Sequence, residues 1–295
     1  MEDINMNRLI LLILVLVTSS SLCGQSQSEL SLQGHRGARG LYPENTIYGL
    51  LKTLEVPEVN TLEFDLSVTQ DQQVILSHEP WINEEICFLN ASKEGHNIYS
   101  LSYEMVKQID CGSKGHPSFP DQEKTFSTKP LLSETLKAIK QYCSEQELEL
   151  PFLNIELKSR KSWYGVYCPK PDQFTKLVEQ VILKSGYPKE KIIFQSFDLE
   201  ILIQFRQSEL NWTLSYLVET KIQPKKVIRK LGFKPDIISP NFKFINKNWV
   251  DKYHDKGMLV IPWTINQVKD MSILLEYGVD GLISDYPNLF SALNN

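Results

Sequence analysis

The sequence has few of the features that would assign a function directly. It contains five cysteines, and the four beyond the N-terminal segment match no zinc-ligand spacing. It has no block of Lys or Arg and a net charge of −5, so nothing indicates a nucleic-acid surface. We find no internal repeat, no low-complexity tract and no linker that would divide the chain. With 42% hydrophobic residues, the 295-residue chain can form a sizeable core.

The one long apolar run, residues 9–17 (LILLILVLV), is too short to span a bilayer comfortably and has the length of a signal peptide. Small residues follow it, so we expect a signal peptide over residues 1–24 and a mature domain over 25–295. Cys23 would allow a lipid anchor, but Leu22 is not the small residue that a bacterial lipobox prefers before its cysteine. We therefore expect an exported protein, periplasmic or secreted, with membrane tethering through Cys23 as the alternative.

The remaining cysteines are Cys87, Cys111, Cys143 and Cys168. An exported chain permits disulfides, and four cysteines allow three pairings between which the sequence does not choose. Cys143 lies in a helical pattern, where it could equally be a small core residue.

Strand-like and helix-like segments alternate along the chain, which favours an α/β fold with a parallel sheet. The eight predicted strands are Leu30–Gly34, Leu62–Leu66, Phe152–Leu157, Ile192–Gln195, Thr213–Leu217, Asp236–Ser239, Leu259–Trp263 and Gly281–Ser284. The eight predicted helices are Thr46–Leu54, Ser133–Glu147, Asp172–Lys184, Leu199–Ser208, Gln223–Leu231, Asn246–Lys256, Val268–Tyr277 and Pro287–Leu293. Ser133 and Asp198 have the positions of N-terminal caps. Eight strand–helix units predict a TIM (β/α)8 barrel.

Two segments depart from this rhythm. A ninth strand candidate, Gln73–Ser77, follows the second strand after a link too short for a parallel crossover. We therefore predict that it forms a hairpin with the second barrel strand and brings His78 back across the barrel mouth. The segment from about residue 79 to 130 is a long insertion with a short helical stretch near Ser102–Gln108, and connections of this length are usually functional.

The stretch Gln33–Thr46, QGHRGARGLYPENT, has the most concentrated chemistry. His35 and Arg36 stand at a strand end between two glycines, and Glu44 follows in a tight turn. A histidine beside an arginine, where glycines let a ligand approach the backbone, suits an anionic ligand. Alone, the pair could equally be part of an exposed loop, so its interpretation depends on three later stretches.

Two of those stretches place acids on barrel strands. Glu63 and Asp65 are two residues apart, so both side chains face the same side of one strand, and Glu156 and Lys158 repeat this pattern on another. Buried acids are costly without a compensating cation. Three carboxylates without matched His or Cys ligands favour an oxygen-preferring ion, Ca²⁺ or Mg²⁺. Together with the positive charges of Arg36 and Lys158, they predict a site for a phosphate group.

The third stretch, VILSH, ends at His78. Two histidines near neutral pKa, His35 and His78, can act as a general acid and a general base for displacement at phosphorus. Which histidine has which role is not evident from the sequence. His96, His116 and His254 lie outside this set.

With these pieces in place, the sequence resembles the glycerophosphodiester phosphodiesterases, within the PLC-like phosphodiesterase barrels. The matching pieces run in order over nearly the whole mature chain: GHRGARGLYPENT, LEFDLSVTQDQQVILSHEP, LNIELKS, IIFQSFD, VIPWTIN and VDGLISDYP. The resemblance implies a TIM barrel that hydrolyses glycerophosphodiesters to sn-glycerol 3-phosphate and an alcohol with one divalent cation. It implies these roles: His35 and His78 as the acid–base pair; Glu63, Asp65, Glu156 and also Glu44 at the metal; Arg36 and Lys158 at the phosphate; and Trp263 in the substrate pocket.

Two departures from the family pattern stand out. The family often has Asp after the second histidine, where this chain has Glu79, and the orientation of His78 depends on that neighbour. The usual Asp-Gly of the hairpin is Asp71-Gln72 here, which should affect only the turn.

Three alternatives remain from the sequence. The same chemistry could act on lysophospholipids or sphingolipids as a phospholipase D-type activity, although Gly112–His116 of the insertion is polar. A retaining glycosidase also places paired acids on barrel strands, but it requires neither Arg36 nor Lys158. An exported protein that binds glycerophosphodiesters without cleaving them should lack an acid, a base or a metal ligand, and this chain lacks none.

Overall fold

The computed structural model describes residues 30–88 and 96–294. The strands are β1 (Ser31–Gly34), β2 (Thr61–Val68), β3 (Val74–Leu76), β4 (Phe152–Leu157), β5 (Ile192–Ser196), β6 (Thr213–Val218), β7 (Ile237–Pro240), β8 (Leu259–Val260) and β9 (Gly281–Ser284). The α-helices are α1 (Ile47–Thr53), α2 (Tyr103–Val106), α3 (Leu132–Glu145), α4 (Pro171–Ser185), α5 (Leu199–Gln207), α6 (Pro224–Leu231), α7 (Lys247–His254) and α8 (Val268–Glu276).

Eight parallel strands form a nearly closed barrel in the order β8-β7-β6-β5-β4-β2-β1-β9. Backbone hydrogen bonds continue across the remaining seam: the Asp280 amide donates to the Val260 carbonyl, and the Ile283 amide donates to the Pro262 carbonyl. Helices follow the strands around the outside. The predicted TIM barrel is therefore confirmed.

The predicted hairpin is also confirmed. β3 pairs antiparallel with β2, with Leu66 opposite Leu76 and Val68 opposite Val74. The turn between them places Gln72 at φ 60°, a left-handed conformation that glycine adopts more readily. The hairpin turns the chain back towards the barrel mouth, where His78 follows β3.

Alternation along the strands separates two apolar regions. Outward-facing residues such as Phe64 and Ile155 belong to the main core between the sheet and the helices. Inside the barrel, a smaller apolar cluster comprises Ile193, Ile237, Ile261 and Ile283. The opposite side of the barrel interior is polar, because the carboxylates of Glu63 and Asp65 on β2 and of Glu156 on β4 point into it.

The described part of the insertion, residues 79–88 and 96–130, has its own core. Ile82, Ile98 and Val106 pack in a satellite cluster with Ile75 of β3. A disulfide joins Cys87 to Cys111 and selects among the pairings that the sequence left open. The other two cysteines are buried thiols: Cys143 belongs to the main core on α3, and Cys168 also packs there.

Three local predictions need correction. The cap of α3 is not Ser133: the helix begins at Leu132, and the Glu134 carboxylate accepts the Leu131 amide. The last helical segment, 287–294, is a 3-10 helix rather than an α-helix. β8 ends at Val260 rather than at Trp263, although the Ile261 and Trp263 amides still donate to the Ile238 and Pro240 carbonyls of β7. The predicted cap at Asp198 is confirmed, since its carboxylate accepts the Glu200 amide.

None of the helices in the described residues is long and apolar enough to cross a membrane. The predicted signal peptide and Cys23 lie outside the described residues.

Candidate active site

The strand register brings three acids together at the barrel mouth. Asp65 of β2 pairs with Glu156 of β4, and Glu156 pairs with Gln195 of β5. Glu63 lies two residues before Asp65, so it faces the same interior. One oxygen each of Glu63, Asp65 and Glu156 lies within 4.8 Å of the others, and all three residues are buried.

The electrostatics of this triad fit a bound cation. Asp65 Oδ1 is buried and has no hydrogen-bond partner among the described residues; the Lys158 ammonium lies 3.8 Å away. Burial and the charges of Asp65 and Glu156 raise the pKa of Glu63 well above its usual value. Burial likewise raises the pKa of Glu156. Since a hard divalent ion prefers carboxylate oxygens and would relieve this repulsion, the residues present fit Ca²⁺ or Mg²⁺.

Glu44, the fourth predicted ligand, is not part of this triad in the structure. Its carboxylate lies 3.2 Å from Arg36 Nη1 and 3.8 Å from Arg39 Nη1. Burial alone would raise the pKa of Glu44, but these two guanidinium groups outweigh it and hold the pKa below its usual value. Glu44 therefore neutralises the arginines beside the triad.

Arg36 lies in a loop with an unusual backbone. Arg36, Gly37 and Ala38 have φ values of 51°, 72° and 60°, three successive residues in the left-handed region. A Cβ on Gly37 would lie 2.9 Å from the Leu50 amide nitrogen, so both the space and the conformation require glycine here. In this turn the Arg36 amide donates a hydrogen bond to Glu63 Oε2 at 2.8 Å. The Nε atom of the Arg36 side chain lies 3.2 Å from Asp65 Oδ2.

His35 is held by a carboxylate from the far end of the chain. Its Nδ1 lies 2.5 Å from Asp285 Oδ1, just after β9, and its Nε2 lies 3.9 Å from Glu63 Oε2. Burial lowers the pKa of His35 to about 4, although the charge of Asp285 favours the protonated ring. Asp285 also accepts hydrogen bonds from Arg39 Nε at 2.7 Å and Asn266 Nδ2 at 2.7 Å. These contacts fix the orientation of the imidazole.

His78 has a carboxylate partner of its own. Its Nδ1 lies 2.8 Å from Glu79 Oε1. Burial alone would raise the pKa of Glu79, but the hydrogen bond and charge of His78 lower it to about 2. Because an ionised carboxylate only accepts, Nδ1 carries the proton and leaves Nε2 for the cleft. The glutamate that departs from the family pattern therefore still orients the histidine.

A cleft of about 970 Å³ opens over these groups, and both histidines and Lys158 line it. The Lys158 ammonium lies 2.7 Å from Glu156 Oε1. Two aromatic rings, Phe197 and Trp263, meet edge to face at 5.6 Å on the cleft wall. The structure thus brings all the predicted site residues to one end of the barrel.

Sequence reasoning assigned no role to Asp285, Asn45 or Lys129, and it placed Gln195 only by resemblance, in the substrate pocket. Asp285 directly follows β9, at the C-terminal end of a barrel strand, and that position was a usable signal. Gln195 donates to Glu63 Oε1 at 2.8 Å, and Asn45 donates to Asp65 Oδ2 at 2.9 Å. Lys129 is buried near the end of β3, and nothing in its local sequence indicated that position.

Comparisons with known proteins identify the family to which the chain is similar. A model of the Glycerophosphoryl diester phosphodiesterase family matches residues 35–289. A Glycerophosphodiester phosphodiesterase of Bacillus subtilis (strain 168) is 26% identical over 262 residues, which covers 87% of this chain and 83% of that protein.

Solved structures share the fold. A crystal structure from Silicibacter pomeroyi DSS-3, provisionally assigned as a glycerophosphoryl diester phosphodiesterase, has a TM-score of 0.78 at 24% identity and covers 90% of this chain and 94% of its own. An Oleispira antarctica phosphodiesterase in complex with the product sn-glycerol-3-phosphate has a TM-score of 0.72 at 22% identity, with coverages of 90% and 97%. Both similarities support the barrel.

Proposed function

We infer the reaction from this premise: the chain belongs to the glycerophosphoryl diester phosphodiesterase family, and its members' shared activity makes it a phosphoric diester hydrolase. We propose that it hydrolyses glycerophosphodiesters to sn-glycerol 3-phosphate and an alcohol, with dependence on one divalent cation. The main observation that supports this substrate class and the metal dependence is the buried acidic triad beside two histidines, each oriented by a carboxylate, in one cleft.

Glu63, Asp65 and Glu156 would hold the cation, Ca²⁺ or Mg²⁺. When bound, it supplies positive charge for the phosphoryl oxygens. Lys158 adds a cation on the same wall of the cleft, and Arg36 compensates the charge of Asp65 and Glu44. These side chains also stabilise the negative charge that develops on the phosphate during displacement.

His35 and His78 serve as the acid–base pair. Each has Nδ1 tied to a carboxylate, which leaves Nε2 to exchange a proton with the substrate or the leaving alcohol. We propose that a glycerol hydroxyl attacks phosphorus in line to give a cyclic phosphate, which water then opens. A diester without that neighbouring hydroxyl should be cleaved far more slowly; equal rates would exclude the cyclic route.

The test is release of glycerol 3-phosphate from glycerophosphocholine by the purified protein with Ca²⁺, with Mg²⁺ and with EDTA. We expect release with at least one cation, none with EDTA, and none from a folded His35→Ala variant. His254→Ala is the matched control, because His254 pairs with Asp280 at the other end of the barrel. Absence of release with either cation, while the protein binds glycerophosphocholine, would favour the non-catalytic binding protein.

One observation favours lipid substrates as a second candidate. Trp81 and Trp163 line the cleft, and Tyr167 packs beside them: the ring centroid of Trp81 lies 5.9 Å from those of both Trp163 and Tyr167. Trp81 is 36% exposed. Such an aromatic surface could contact the acyl chain of a lysophospholipid. Parallel assays with glycerophosphocholine and lysophosphatidylcholine, in wild type and in Trp81→Ala, separate the two, since only lipid cleavage should depend on Trp81.

We also propose that the protein is exported, with residues 1–24 removed as a signal peptide and the domain running from 25 to 295. N-terminal sequencing of the protein from an extracellular or periplasmic fraction tests this. Lipid attached to Cys23 would instead show the tethered form, and a retained N-terminus would contradict the proposal.

A further inference from the structure

The insertion begins and ends with two opposite charges that lack full partners. Glu79 Oε2 is buried and has no hydrogen-bond partner among the described residues, while Oε1 accepts from His78. Lys129, at the other end of the insertion, is 4% exposed, and no ion pair within 4 Å is found for its ammonium among the described residues. A buried ammonium without a carboxylate in contact is costly, so its position calls for an explanation.

The backbone brings these two residues together. An antiparallel bridge joins Ile75 to Leu131, and the Leu76 amide donates to the Pro130 carbonyl at 2.9 Å. In an antiparallel pair this register places Lys129 across from Ser77, directly before the two residues His78 and Glu79. Lys129 therefore lies beside the end of the hairpin, where His78 follows β3.

The charges around Lys129 point the same way. Burial lowers the pKa of Lys129, whereas the nearby carboxylates of Glu44 and Glu79 favour its charged form. After His78, Lys129 is the next cation that lowers the pKa of Glu79. Lys129 does not line the cleft, so direct contact with substrate is not its role.

We propose, on the basis of the function inferred above, that Lys129 is a positioning residue: its buried positive charge keeps the Glu79 carboxylate directed at His78 Nδ1. Glu79 Oε2 is buried without a hydrogen-bond partner among the described residues, and Lys129 is a buried cation that the strand register brings to the same end of β3. Through Glu79, Lys129 fixes which nitrogen of His78 faces the cleft.

The activity test compares Lys129→Met, Lys129→Arg and Glu79→Gln with wild type on glycerophosphocholine. We expect Lys129→Met to lower kcat by roughly tenfold or more with KM within about twofold, the size of effect seen when a partner behind a functional histidine is lost. Lys129→Arg should restore most of the activity. The double variant Lys129→Met/Glu79→Gln should be no worse than the poorer single variant, because one residue acts through the other.

Two controls separate positioning from folding. Since Lys129→Met removes a buried charge, its melting temperature should be at or above that of wild type, whereas loss of a structural residue would lower it. Lys124→Met, an exposed lysine on the same insertion, should leave kcat unchanged. A folded Lys129→Met variant with wild-type kcat, or a double variant whose loss is the product of the single losses, would overturn the proposal.

The tautomer of His78 can be measured without any hydrolysis, so this test gives a result even if the proposed function is wrong. In protein labelled with ¹⁵N-histidine, the His78 signals are identified by their absence in His78→Ala. Wild type should show a protonated Nδ1, and Lys129→Met should shift its ring nitrogen signals towards the other tautomer. If wild type hydrolyses no diester but these shifts occur, the function is wrong and the positioning role stands; unchanged shifts refute the positioning role.

Discussion

Replacement of Asp285 by Asn tests whether the contact at 2.5 Å with His35 supports catalysis. Two unit charges about 4 Å apart at an effective dielectric constant of about 20 interact by about 4 kcal/mol. Arg39, 2.7 Å from the same carboxylate oxygen, already offsets part of this charge, so we take about half. A loss of about 2 kcal/mol when His35 carries its second proton corresponds to roughly a 30-fold drop in kcat.

The geometry makes this figure a lower bound. Both carboxylate oxygens accept hydrogen bonds, one from Arg39 and one from Asn266, so an amide NH₂ on either side would face a donor. The asparagine would thus lose a hydrogen bond as well as a charge and would admit the wrong tautomer of His35.

The same strand supplies a matched control. Asp280, just before β9, accepts from the Val260 amide at 2.7 Å and lies 2.8 Å from His254 Nε2 at the closed end of the barrel. Asp280→Asn should lower the melting temperature about as much as Asp285→Asn does, but it should leave kcat on glycerophosphocholine unchanged. The reasoning is refuted if Asp285→Asn keeps kcat within twofold of wild type, or if Asp280→Asn lowers kcat as much as Asp285→Asn does.

Three further predictions follow from the fold and the triad. Asp65→Asn should weaken Ca²⁺ or Mg²⁺ binding, measured by titration calorimetry, by more than the roughly 10–100-fold that loss of a hydrogen-bond partner of a metal ligand costs. Glu55→Gln, which changes an exposed carboxylate paired with Lys52, should leave the affinity unchanged. Equal cation affinities of Asp65→Asn and wild type would remove Asp65 from the metal site. Replacing Cys87 and Cys111 together by Ser should destabilise the insertion by up to about 3.5 kcal/mol, the loop-closure value for a separation of 24 residues, seen as faster proteolytic cleavage within it; unchanged cleavage rates would contradict this. Gln72→Gly should raise the free energy of unfolding by about 0.5 kcal/mol, because relief of the left-handed strain exceeds the entropy cost of glycine; a drop in urea denaturation midpoint would show the opposite balance.

The barrel could be predicted from the sequence because each strand is short, apolar and bounded by helix or turn signals. β4 and β9 have the predicted bounds, and the antiparallel β3 followed from a link too short for a crossover. The triad was predictable for the same reason: a spacing of two on a strand fixes a shared face, and parallel strands align their C-terminal ends.

What could not be predicted depends on contacts distant in sequence. Asp285 lies 250 residues from His35, and only closure of the barrel makes them neighbours. The pairing of Cys87 with Cys111 required the path of the insertion. Glu44 was grouped with the metal ligands because it is an acid near the site; in the structure its carboxylate pairs with the Arg36 guanidinium, a contact that the sequence does not specify.

The insertion, with its satellite cluster and its disulfide, has a consequence for how such an enzyme diverges. Because Ile82, Ile98 and Val106 pack in their own cluster, apart from the main core, substitutions at these three positions act on the insertion before they act on the barrel strands that hold the acids. Natural variation can therefore remodel the entrance while the hydrolytic apparatus is inherited intact. That freedom ends at the two ends of the segment, where His78 and Glu79 follow β3 and residues 130–131 pair with it.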